Sequence, residues 1–175
     1  MAHWLVENLQ PECVVELGSH YGVSFFAFCE AAELWSKQTY IYAIDTWKGD
    51  EHAGYYDNEV FNKVSIHQQK YHAQRSQLIR STFAKAAEQF SDGSLDLIHI
   101  DGLHTYEAVR RDYDEWKVKL KHGGSVIFHD WNVREDRVQK ERENVASEAA
   151  QWRRGLTMHR REQGSSSKVS ALTAP

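Results

Sequence analysis

Val14-Val15-Glu16-Leu17-Gly18-Ser19-His20-Tyr21-Gly22 is the stretch whose reading decides the fold. A run of β-forming residues stops at one glycine, a second glycine follows four residues later, and a helical pattern begins at once. Glycine lets the backbone turn tightly and approach a ligand closely. A helix opening just after Gly22 turns its first amide groups toward the same crevice, which suits a carboxylate or a phosphate.

Outward from this turn, short β-rich runs alternate with helical patterns. Strands are predicted over 13–17, 40–44, 77–80, 95–100 and 125–129, with 77–80 the weakest. The other four are mostly apolar without clean alternation, as strands covered on both faces should be. Helices are predicted over 24–37, 58–74, 82–90 and 105–121. In the last of these, Tyr106, Val109, Tyr113, Trp116 and Leu120 step by three and four along one face. Thr105 can cap its start, and Gly123-Gly124 is expected to end it and turn the chain into the next strand. The alternation specifies an α/β fold, a doubly wound (Rossmann-like), mostly parallel sheet with five visible strands. The strands and helices occupy 1–135, and 136–175 reads as a polar, partly helical tail, disordered from about 155 onward.

Several polar residues fall at strand ends, beside which ligands of open α/β sheets bind. Asp45 closes the second strand, where an acid can accept hydrogen bonds from two ribose hydroxyls; alone it would read as a turn cap before Thr46-Trp47. Asp101 ends the fourth strand and Asp130 ends the fifth. Neighbouring parallel strands lie about 4.8 Å apart, so two such carboxylates can converge on one ion. An oxygen-rich pair with room for water suits Mg2+ or Mn2+ better than zinc. His104, three residues beyond Asp101, can take a proton from a substrate hydroxyl. His99 and His129 are expected to be packed or hydrogen-bonded core histidines.

Charge narrows the partners. Residues 1–135 carry 13 Lys/Arg against 20 Asp/Glu, whereas 136–175 carry 8 against 5. An acidic body argues against a nucleic-acid backbone as partner. No stretch has the apolar length of a membrane span. Cys13 and Cys29 both sit in apolar runs, as reduced thiols of a cytoplasmic protein would.

With these pieces placed, the chain resembles the bacterial class I S-adenosylmethionine (SAM)-dependent methyltransferases often found beside glycosyltransferases, whose relatives include metal-dependent sugar O-methyltransferases. The resemblance rests on Val-Glu-Leu-Gly-Ser-His-Tyr-Gly, Ile-Asp-Thr-Trp-Lys-Gly-Asp-Glu-His-Ala-Gly-Tyr-Tyr, Ile-Asp-Gly-Leu-His-Thr-Tyr-Glu-Ala-Val and Leu-Lys-His-Gly-Gly-Ser-Val-Ile-Phe-His-Asp-Trp, in that order over 13–135. It implies a SAM donor held by Glu16, Gly18, Ser19, Gly22 and Asp45. It further implies a divalent ion, Mg2+ or Mn2+, on Asp101 and Asp130, with His104 as base. The acceptor would be a small molecule or a sugar hydroxyl, the loop 47–56 would close over the bound molecules, and a homo-oligomer is compatible with all of this.

The tail departs from that family. Its members complete the sheet with a β-hairpin after the fifth strand, and here none is visible, so the tail reads as a truncation that leaves the fifth strand's edge bare. Two other functions therefore stand beside methyl transfer: a non-catalytic module of a glycan-modifying system, and an NAD-dependent oxidoreductase on the same architecture. The Glu-x-Gly-x-x-x-Gly spacing counts against the second, since dinucleotide dehydrogenases use Gly-x-Gly-x-x-Gly.

Overall fold

A computed structural model describes residues 1–50, 54–129 and 171–173. Strands β1 (Cys13–Leu17), β2 (Tyr40–Asp45), β5 (Ser76–Arg80), β6 (Leu95–Ile100) and β7 (Leu120–Phe128) form a parallel sheet in the order β5-β2-β1-β6-β7. The chain winds from β1 outward through β2 to β5, then returns to the other side of β1 for β6 and β7. That reversal opens a crevice at the C-terminal ends of β1 and β6. The expected doubly wound sheet is the one observed.

Alternate residues of the central strands feed two cores. Val14, Ile41, Ala43, Leu97 and Ile127 face one side, where they pack under helices α1 (Ala2–Leu9), α2 (Val23–Trp35) and α3 (Asn58–Tyr71). Val15, Leu17, Ile44, Ile98 and Val126 face the other, against α4 (Phe83–Ala87) and α5 (Tyr106–Trp116). Burial on both faces is why these strands read as continuous apolar runs.

Helix α1 was not among the expected elements. It buries Ala2, Leu5 and Val6 and ends at Gln10, whose left-handed backbone (φ 45°) lets its amide donate to the Val6 carbonyl. Thr105 caps α5 as expected, its hydroxyl accepting from the Ala108 amide. The helix stops earlier than its apolar stripe suggests. It passes through a 3-10 turn (Lys117–Lys119) straight into β7.

Gly123-Gly124 therefore lies inside β7 and does not end the helix. The register jumps from Leu95↔Leu120 to Leu97↔Ser125, so the surplus residues of β7 loop out as a bulge. Gly123 (φ 85°) supplies the backbone conformation this needs.

The edge of β7, expected to be bare, is covered. Residues Ala171–Thr173 form β8 and run antiparallel to β7, pairing Ala171 with Ile127, Leu172 with Val126 and Thr173 with Ser125. A row of unpaired N–H and C=O groups is satisfied by any extended segment that reaches it. Three residues are too few to announce themselves by pattern in a Ser-rich stretch. The helical pattern of 138–154 and Asp130 lie outside the described residues. Among the described residues, no helix is long and apolar enough to cross a membrane.

Candidate active site

The glycine turn is built by contacts across the sheet. Glu16 stands directly opposite His99 in the β1–β6 register, and both side chains are fully buried. The Glu16 carboxylate accepts from the Ser19 hydroxyl at 2.7 Å and from His99 Nδ1 at 2.9 Å. Glu16 thus shapes the turn from below and does not line the crevice, while His99 is the hydrogen-bonded core histidine expected. Gly18 (φ 87°) passes so close to the next loop that a Cβ would lie 2.2 Å from the Asp101 carbonyl oxygen. Gly22 (φ 79°) is the N-cap of α2, packed against Phe26.

Asp45 fastens this turn to β2. Its Oδ2 accepts from the Ser19 and His20 amides, each at 2.9 Å, and its Oδ1 from the Trp47 amide at 2.7 Å. Beside this turn-capping role, Asp45 also lines a cavity of about 830 Å³ at the C-terminal ends of the strands. Gly18, Ser19, Asp101 and His104 line the same cavity. Five of the eight residues singled out in the sequence thus converge on one space; Glu16 and Gly22 support it from outside, and Asp130 is not described.

The segment after β2 is partly anchored. Trp47 is fully buried, donates its indole N–H to the His20 carbonyl at 2.9 Å and meets the Phe61 ring. Beyond it, β3 (Gly49–Asp50) and β4 (Gly54–Tyr55) form a small hairpin, and Gly49 and Tyr56 border the cavity. The Tyr56 ring lies 5.2 Å from that of His20.

On the other side, Asp101 Oδ1 lies 3.3 Å from His104 Nε2 and 3.1 Å from His129 Nδ1. His129 corrects the sequence reading: β7 ends at Phe128, and the His129 side chain is 45% exposed and joined to Asp101, not packed in the core. Its own amide donates to the Ile100 carbonyl, so the sheet ladder itself holds it at the strand tip.

Thr82, Phe83, Arg111 and Asp112 also line the cavity and were missed in the sequence. Asp112 carried a signal, since it falls four residues after Ala108 and four before Trp116, on the buried line of α5. An acid on such a line is unusual. Burial pushes its carboxyl up to about 6, against the opposing pull of the adjacent Arg111 and with a smaller push from Glu115. Burial likewise raises the Cys13 thiol to about 11 and Cys29 to about 12, so neither is a ready nucleophile.

Comparison with known proteins agrees with this geometry. A family model described as a methyltransferase domain matches residues 15–131. The uncharacterized protein y4gI of Sinorhizobium fredii (strain NBRC 101917 / NGR234) is 46% identical over 132 residues, covering 75% of this chain. The chain spans only 14% of that relative's length.

Among solved structures, the O-methyltransferase TomG of Streptomyces achromogenes, involved in tomaymycin synthesis and solved in complex with SAM, has a TM-score of 0.69 at 12% identity, over 99% of this chain and 78% of that one. The methyltransferase PaMTH1 of Podospora anserina, SAH-bound, has a TM-score of 0.68 at 14% identity, over 99% and 76%. These likenesses are of fold. The chain belongs to the methyltransferase-domain family, with the Rossmann-like architecture of the class I enzymes.

Proposed function

We propose that the chain transfers the methyl group of SAM to a hydroxyl, most plainly that of a sugar or glycoside, in the cytoplasm. One observation carries this reading: the turn fastened by Asp45 and the Asp101–His104 pair line a single cavity. The first half is suited to a nucleoside-bearing donor, through Asp45 at the ribose and Gly18 and Ser19 along the chain that follows it. The second half is suited to an acceptor that must lose a proton. O-methyltransferases among the structural neighbours support an oxygen acceptor.

In the proposed step, the acceptor oxygen attacks the methyl carbon in line with the leaving sulfur. The C–O bond forms as the C–S bond breaks, and the hydroxyl proton passes to a base in the Asp101–His104–His129 group. The sulfonium is an able leaving group, so the protein's contribution is alignment and proton removal. The grouping of Asp101 with His104 and His129 supports a divalent ion at this place as part of the same proposal. Asp101 would hold it, with Asp130 as the second carboxylate if the site is of the oxygen-rich Mg2+ or Mn2+ kind. Bound there, such an ion would lower the pKa of the acceptor hydroxyl.

Calorimetry with SAM and with NAD, followed by transfer of labelled methyl to a panel of glycosides, tests the reading. SAM binding with label on a glycoside oxygen is the expected result. Binding of NAD alone would convert it to an oxidoreductase, and binding of neither would leave a non-catalytic module.

A further inference from the structure

Thr82, Phe83, Leu103 and Asp112 line the same cavity as Asp45 and take no part in the transfer step described above. Gly102 draws two of them together. A Cβ there would lie 2.6 Å from the Phe83 ring and 3.5 Å from Asp112 Oδ2, so the bare backbone lets ring and carboxyl close on one point. This stretch of wall therefore holds an aromatic ring, a leucine, a hydroxyl and one carboxyl. Apolar surface with a single placed acid suits a flat ring that carries one hydrogen-bonding substituent.

Little in the protein holds that acid. Asp112 is 2% exposed, and among the described residues its hydrogen-bond partner is the exposed Arg111 alone, at 3.5 Å, too long for a strong bond. Buried carboxyls are ordinarily paired or well hydrogen-bonded. Burial pushes this one up to about 6, which weakens the fold near neutral pH, and acids kept under such strain cluster at functional sites. Once ionised, a carboxylate only accepts, so the group that would satisfy it is a donor.

The placing of the donor molecule decides which group that is. In the sheet, β2 lies between β1, which carries the glycine turn, and β5. Just beyond β5, the Ser81 amide donates to the Asp45 carbonyl at 3.0 Å. A nucleoside with its ribose at Asp45 and its chain along Gly18 and Ser19 thus sends its base the other way, toward Thr82 and Phe83. We infer that Asp112 is the residue that reads this base, its carboxyl accepting a hydrogen bond from the exocyclic amino group of an aminopurine seated beside the Phe83 ring. An oxo group at the same position would set its lone pairs against the carboxylate, so the residue selects amino- over oxopurines. The inference rests on the SAM reading for the orientation of the ligand.

Calorimetry with S-adenosylhomocysteine and its oxo counterpart, S-inosylhomocysteine, on wild type, Asp112→Asn and Asp112→Ala measures the ratio of the two affinities. Wild type should favour the amino ligand at least about tenfold, well within what a site built for one hydrogen bond achieves. Both variants should bring the ratio to within about threefold of unity, since an Asn amide can present either its oxygen or its NH2 and Ala presents neither. Asp112→Asn removes a buried charge, so a ratio lost there is not a fold lost. Equal wild-type affinities, or an undiminished ratio in both variants, would overturn the assignment and leave SAM binding standing. A loss of affinity shared equally by the two ligands would also overturn it, because that is the mark of a structural role alone. Adenosine and inosine are titrated in parallel. A chain that takes up no S-adenosylhomocysteine yet prefers adenosine to inosine through Asp112 would sink the transferase reading and keep the assignment. Binding of none of the four would end both.

Discussion

At the scale of single residues, Asp45 and Asp112 each combine a structural role with a place on the cavity wall. Asp45 already accepts three backbone N–H bonds, so removing it costs the turn as well as any ribose contact. Asp45→Ala should weaken SAM binding by at least about 1.5–3 kcal/mol, the range for a hydrogen bond to a charged group. Asp45→Asn keeps one acceptor oxygen and should lose less. Equal SAM affinity for wild type and Asp45→Ala in calorimetry would remove Asp45 from the donor site.

Asp112 makes a prediction about pH. Its carboxyl ionises near 6 in the folded chain against an ordinary value of 3.8, because burial disfavours the charge. The unfolded chain therefore releases this proton first as pH rises. Stability from this group is complete below 3.8, declines through the window up to about 6, and is constant above it. A shift of about two units corresponds to about 3 kcal/mol. Asp112→Asn, neutral throughout, should gain stability over the wild type between pH 4 and pH 7 by up to that order. Urea unfolding at both pH values measures it, and a wild-type-to-variant difference that does not grow with pH would refute the assignment.

At the scale of elements, the sheet's outer edge matters most. β8 gives β7 an antiparallel partner over three residue pairs. Net hydrogen-bond contributions of about 1 kcal/mol each imply that deleting 171–175 should destabilise the chain by about 1–3 kcal/mol in urea unfolding. An unchanged midpoint would mean that β8 contributes nothing and that β7 tolerates an open edge. Helix α5 illustrates what pattern can and cannot give. Its stripe fixed its face toward the sheet, yet the pattern alone overran the helix end into Leu120. Leu120 is instead the first residue of β7, held by its pairing with Leu95.

At the scale of the whole molecule, a ligand that binds only the folded chain stabilises it in proportion to its affinity. SAM at 100 times its Kd should add about 2.7 kcal/mol, and thermal unfolding should shift upward accordingly. NAD at the same concentration should shift nothing. An equal shift with both would show that the cavity reads a shared nucleoside feature and not the donor.

The sequence by itself determined the alternation of strands and helices, the glycine turn, and the strand-end acids Asp45 and Asp101, because each is a local signal: period, turn chemistry, or position at the close of an apolar run. It also placed His104, three residues from Asp101 on the same loop. Only the tertiary structure decided the rest. Glu16 lies beneath the turn, not among the cavity-lining residues, because β6 sets His99 opposite it, 83 positions away. His129 left the core because the last β7 pair is Ile100↔Phe128, which puts the next residue beyond the ladder and beside Asp101. Asp112 entered the site, and Ala171–Thr173 joined the sheet, through contacts between segments distant in the chain. Local patterns constrain which face a residue takes, but the register between strands decides its neighbours, and no short window of sequence contains that register.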